Sequence, residues 1–369
     1  MPPRLIARLL FVLVTLLGCC HYTVAQDKAV AQDGVDLATG NALSVEFLSA
    51  KSAGNVLAGG DDDEFFSRLY PREAAAMTGS PRGKKTRQES QQYARDFFRN
   101  AALDFAEDEK AALRLLVHRL KTLFAKDYET LIVRPWKFVK TRDDLCAGFS
   151  FTRSDCIVLS EKTLRKIVQV TQKQEPKTAF AEGLLLHEQM HVLQRAEPER
   201  FVSLYEDVFR FRAANVLLDP WIDERQVTNP DAVGDDWVAE IPSADGGSQY
   251  FWIGTILEVE KPLHRMGRDF SMVAVRLKQT EAGYEMLVRD GKPDYLRTNE
   301  LEAFTGRLPV ASGYDHPNEV AAYLFTAITH DTGRVPVKGA ALEVFEEAKR
   351  WFKLHLKDGE GPNQKPAND

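Results

Sequence analysis

The ten residues Leu184-Leu185-Leu186-His187-Glu188-Gln189-Met190-His191-Val192-Leu193 decide how this chain is read. This stretch, with Pro176 before it and Pro198 after it, is expected to form one helix from Thr178 to Gln194. Four residues make about one helical turn. His187 and His191 therefore emerge on one face, close enough to share a metal ion, and Glu188 lies beside them where it can contact water held by that ion. With eight histidines in 369 residues, chance would place the pattern HExxH in about one such chain in 70. The leucines on either side describe a helix buried beneath a cleft. Two plainer accounts use the same residues: imidazoles satisfied by other side chains, or a closed structural zinc site.

Before this helix, helical patterns occur around Tyr93 to Arg99 and from Glu107 to Lys126, where Leu113, Leu116, Leu120 and Leu123 make one stripe. Leu131-Ile132-Val133, Trp136 to Lys140 and Cys156 to Leu159 read as strands of a small sheet. A further helix runs from Glu161 to about Gln174.

In the HExxH pentapeptide and the order helix, small sheet, helix from about residue 107 to 194, the chain resembles the zincin superfamily of zinc metallopeptidases. The resemblance implies an α+β fold, Zn2+ as cofactor, His187 and His191 as its ligands, and Glu188 as the general base. It also implies hydrolysis of a peptide or protein substrate by zinc-activated water. The third ligand is less direct. Metzincins continue HExxHxxGxxH, but Gln194 and Glu197 stand at the glycine and third-histidine positions. Gluzincins place a glutamate 19 or 20 residues after the second histidine, where this chain has Arg210 and Phe211. Glu206 and Asp207, on an expected helix from Glu199 to Leu217, are two remaining carboxylates. The favoured one is Glu319, in Tyr314-Asp315-His316-Pro317-Asn318-Glu319-Val320, a segment that opens a helix with proline in its first turn. That segment is similar to the Asn-Glu and Pro-x-Glu segments that present the gluzincin glutamate. A carboxylate that only stabilises a helix N-terminus is the alternative.

Between these ligands, residues 218–234 read as a loop with a turn at Asn229-Pro230-Asp231, and 235–300 as a compact antiparallel β insert. Residues 301–356 return to helices, ending in an amphipathic one from Val337 to Leu356 with Leu342, Phe345, Ala348, Trp351 and Phe352 on one side. A loose tail follows from Lys357. A donor for the developing oxyanion is expected among His264, Tyr314, His316, Tyr323 and His330.

The N-terminus bears on the compartment. Arg4 and Arg8 precede the short apolar run from Leu9 to Leu17, which reads as a secretory signal over 1–25 and is too short to span a bilayer. Cleavage after Ala25 gives a secreted or periplasmic protein; cleavage before Cys19 gives a lipoprotein, the one route to a membrane. Residues 26–87 are read as a flexible N-terminal segment with a basic stretch at 82–87, either a solvated loop or a processing point, and 88–234 as the zincin-like lobe. In an oxidising compartment Cys146 and Cys156 are expected to form a disulfide. A net charge of −6 is no footprint for nucleic acid. A catalytically inactive zincin-like envelope or binding protein, and a zinc amide hydrolase acting on cell-wall material, accommodate the same motif.

Overall fold

Every residue from Cys156 to Ser160 is buried, so this run belongs inside a sheet covered on both faces. The computed structural model describes residues 44–60, 63–81, 83, 85–173, 178–233, 237–243, 246–310, 312–330 and 338–357. The signal segment, Cys19 and the tail beyond Lys357 lie outside them. The first sheet comprises β1 (Val45–Phe47), β2 (Ala102–Leu103), β3 (Trp136–Thr141), β4 (Phe151–Arg153) and β5 (Cys156–Ser160), in the order β1-β3-β5-β4 with β2 also on β3. β1 and β5 run parallel to β3, whereas β2 pairs antiparallel with β3 and β4 with β5.

Alternation along these strands divides two cores. Phe138, Ile157 and Leu159 face one, and Val139, Cys156 and Val158 face the other. The second core is filled by α1 (Ala50–Ala58), α2 (Glu64–Arg68), α3 (Pro71–Met77) and α4 (Arg87–Asn100), through Leu57, Phe65, Phe66, Leu69 and Phe98. Much of the segment expected to be flexible is thus structured from residue 44. β1 completes the sheet, and Leu48 N–H donates to Phe138 O at 3.0 Å. Three large rings, Phe65, Phe66 and Phe98, carry the packing through their burial.

On the opposite face lie α5 (Glu107–Phe124), α6 (Glu129–Ile132), α7 (Glu161–Gln172) and α8 (Thr178–Ala196). Leu113, Leu116 and Leu120 of α5 are buried as expected, but Leu123 is exposed. Leu131 and Ile132, expected in a strand, form a helical turn that inserts both side chains into the core. The middle of α8 is enclosed by its neighbours: Leu185, Leu186, Met190 and Leu193 are fully buried, and Glu188, Gln189, His191 and Gln194 are buried with them.

After α9 (Pro198–Ser203) the chain makes a π-helical turn, Leu204–Val208, rather than continuing to Leu217. It then enters a second sheet: β6 (Phe211–Ala213), β7 (Val216–Leu217), the short helix α10 (Pro220–Asp223), β8 (Trp237–Pro242), β9 (Ser248–Ile256), β10 (Ser271–Thr280) and β11 (Gly283–Met286). The hairpin β12 (Val288–Arg289) and β13 (Lys292–Pro293) leads to β14 (Tyr295–Arg297), which pairs with β10. The order β6-β8-β9-β10-β11-β7 is antiparallel except for β7 on β11. The sheet therefore begins well before residue 235. Nor is it insulated from the helices: Phe251, Ile253 and Ala274 enter the main core, while Trp252, Val273 and Val275 pack on the other face. α11 (Glu302–Thr305), α12 (Pro317–His330) and α13 (Ala340–His355) close the fold. α12 lies along α8, where a Cβ on Gly183 would come 3.0 Å from Thr326 Cγ2; glycine permits that approach.

Cys146 and Cys156 are free thiols, against the disulfide expected between them. Cys146 lies in a left-handed turn at φ 47° and Cys156 begins β5. Each packs in the second core as a small apolar group, and Cys156 Sγ donates to Asp155 Oδ1 at 3.5 Å. Burial pushes both thiols up, Cys156 to about 12.

Candidate metal centre

The approach of α12 to α8 brings Glu319 opposite the two histidines. His187 Nε2 and His191 Nε2 are 3.1 Å apart, with their rings at 84°. Glu319 Oε2 lies 3.4 Å from His187 Nε2, and its Oε1 lies 3.5 Å from His191 Nε2. Among the described residues these three side chains are the group that can hold a metal ion, with one ligand atom from each within 4.8 Å of the others. The more than one hundred residues between His191 and Glu319 are spanned by the second sheet, which leaves α12 free to return.

Protonation suits the donors. Burial lowers the pKa of His191, opposed by Glu319 and Asp231. Burial also opposes ionisation of Glu319, but the His191 and His187 rings and a hydrogen bond from Asn229 overcome it, holding the carboxyl below its usual range. The carboxylate is the state a metal requires of Glu319, and burial moves His191 towards the neutral imidazole it requires there. Nδ1 of His191 donates to Gln194 Oε1 at 2.8 Å, and Gln194 Nε2 donates to Asn318 O at 3.0 Å. His191 Nε2 is thereby the acceptor nitrogen. Asn229 Nδ2 donates to Glu319 Oε1 at 2.7 Å.

Glu188 is 3% exposed, and its Oε2 is buried with no protein hydrogen bond. Burial raises its pKa well above the carboxylate range; Asp231 and Glu319 add to the rise, and Arg195 opposes it. An orphaned buried carboxylate oxygen beside two imidazoles and a second carboxylate fits a metal centre with a proton acceptor next to it. Two nitrogens and one oxygen suit zinc.

The other expected residues separate clearly. Glu206 and Asp207 are exposed on the π turn and are not among the three grouped side chains. Of the oxyanion candidates, Tyr323 meets the His187 ring edge-on with centroids 4.6 Å apart, and is 40% exposed. Tyr314 Oη donates to Val310 O. His316 Nδ1 accepts the Asn318 N–H at 3.1 Å, and burial takes its pKa down to about 3. His330 lies near Glu182 at the far end of α12, and His264 Nε2 bonds Val259 O at 2.7 Å. Gln194 and Asn229 had no assigned role in the sequence reading. Gln194, three residues after His191, carried a helical-spacing signal; Asn229, ninety positions from Glu319, carried none.

Searches of protein-family models, curated proteins and solved structures each return no match for this chain. A functional reading therefore rests on the sequence pattern and the geometry of this chain.

Proposed function

We propose that this chain is an exported zinc-dependent metallopeptidase whose α8, first sheet and α12 form a zincin-like catalytic region. One observation carries the reading: an HExxH helix and a distant glutamate converge as His187, His191 and Glu319, with Glu188 buried beside them. His187, His191 and Glu319 would hold the zinc. Zinc bound there would supply Lewis acidity towards a scissile carbonyl and bring the pKa of water in its remaining position to about 7. Glu188 would take a proton from that water and deliver it to the leaving amine. Its raised affinity for protons suits both halves of the task. Tyr323, partly open and with its ring against His187, would be the donor to the developing oxyanion. Export rests on the sequence pattern of residues 1–25.

A second reading, a zinc amide hydrolase for a small cell-wall amide, draws on how closely the site is enclosed. His191 and Glu319 are 0% and 8% exposed, a depth that a small amide would reach more readily than a bulky polypeptide. The deciding experiment measures bound zinc by metal analysis and hydrolysis of both a mixed peptide library and a cell-wall amide, for the wild type and Glu188→Gln. Peptide cleavage lost by a factor of about 10²–10⁴ with zinc retained is the expected result. Cleavage of the amide alone selects the second reading, and zinc without either activity identifies an inactive binding protein.

A further inference from the structure

The segment from Gln226 to Asp231 is held from several sides. Thr228 N–H donates to the buried carboxylate of Glu73 on α3, and Thr228 Oγ1 lies 3.4 Å from the same group. Val227 N–H donates to Thr255 O at 2.8 Å. Arg195 of α8 donates to Pro230 O at 2.9 Å, and Asp231 Oδ1 accepts the Thr152 N–H at 2.6 Å. Asn318 Nδ2, next to the ligand glutamate, reaches Asp231 O at 3.3 Å. Within this clamped strap Asn229 Oδ1 accepts the Asp231 N–H at 2.9 Å, which turns the side-chain amide so that Nδ2 meets Glu319 Oε1 at 2.7 Å.

A carboxylate on a side chain with three rotatable bonds loses entropy when it is held for a metal, and donors that fix it beforehand remove part of that cost. We propose that Asn229 is a positioning residue for the metal: it fixes the plane of the Glu319 carboxylate towards His187 and His191, and α3 keeps it there by holding Thr228 through Glu73. The N-terminal helices thus support the site from a distance. The proposal rests on the trio binding a metal and is independent of any hydrolytic activity.

The test uses the full chain and titrates Zn2+ against a chromophoric chelator. Asn229→Ser keeps a side-chain oxygen for the Asp231 N–H but cannot reach Glu319. It is expected to weaken zinc binding about 10–100-fold while the metal-free protein keeps its circular dichroism and Tm. Glu73→Gln shifts affinity in the same direction by less, and Glu319→Gln by more. Wild-type affinity in Asn229→Ser, with affinity lost in Glu319→Gln, overturns the role of Asn229 and leaves the trio intact. Failure of the wild type to bind zinc overturns both. Should Asn229→Ser not fold, a crystal structure of the zinc-loaded wild type decides: the Asn229 amide is expected within about 3.2 Å of the Glu319 carboxylate, and an amide turned away refutes the proposal.

Discussion

His191 and Gln194 share a 2.8 Å hydrogen bond one helical turn apart, and the Gln194 amide continues to the backbone of Asn318. One side chain thus sets the tautomer of His191 on α8 and ties it to the residue preceding Glu319 on α12. Gln194→Ala should weaken zinc binding by about 10–100-fold and cost about 1–3 kcal/mol of stability for the buried groups left unpaired. Chelator competition and denaturant melts measure the two effects. An unchanged zinc affinity would show that the ring needs no such support.

Gly313 stands at φ +78°, and a Cβ there would lie 2.6 Å from Tyr323 Cδ2 and 3.0 Å from Glu319 Cβ. Gly313→Ala carries about 1–2 kcal/mol of left-handed backbone strain and pushes against both side chains. A lowered Tm together with weaker zinc binding is expected. A lowered Tm with intact zinc affinity would mean that the loop yields without moving Glu319.

The two buried thiols make a chemical prediction. Alkylation of the native protein at pH 8 should be slow, and fast in guanidinium. Arg153 separates the cysteines into different tryptic peptides, which a non-reducing map should show unlinked. Burial lifts Cys156 to about 12, against about 8.5 for a free thiol. Between those values the folded chain keeps a proton that the unfolded chain has lost, so this group's contribution to stability is complete below about 8.5 and fades as pH rises towards 12. A joined pair of peptides in the map would contradict the free thiols.

Phe66 meets Phe98 edge-on at 5.2 Å and is 1% exposed. Phe66→Ala should destabilise the whole fold by about 3–5 kcal/mol, read from urea melts. A detachable N-terminal segment would predict two separate transitions and an unchanged major one.

Much of the helical framework was legible because its signals are local. The apolar periodicity of α5, the run that became α8 and the proline that opens α12 each act within a few turns. The second sheet was also visible in alternation, although β6 and β7 lay hidden in a stretch with helical spacing. There the π turn at Leu204–Val208 ends the helix. α4 was legible in the pattern around Tyr93 to Arg99, but α1, α2 and α3 were not, because they are short, the anchors Leu57, Phe65, Phe66 and Leu69 sit among polar residues, and burial depends on partners elsewhere in the chain.

Sequence by itself determined that His187 and His191 share a face with Glu188 beside them, because helical geometry links residues four apart wherever the helix sits. It also singled out Glu319 as a carboxylate at the opening of a helix. Only the tertiary structure decided that this carboxylate, rather than Glu206 or Asp207, meets the imidazoles, that Asn229 fixes it, and that Cys146 and Cys156 stay apart. Those outcomes depend on how close α12 lies to α8, on where one strap is clamped and on which core receives each thiol. Packing over long separations sets such distances, and no spacing along the chain encodes them.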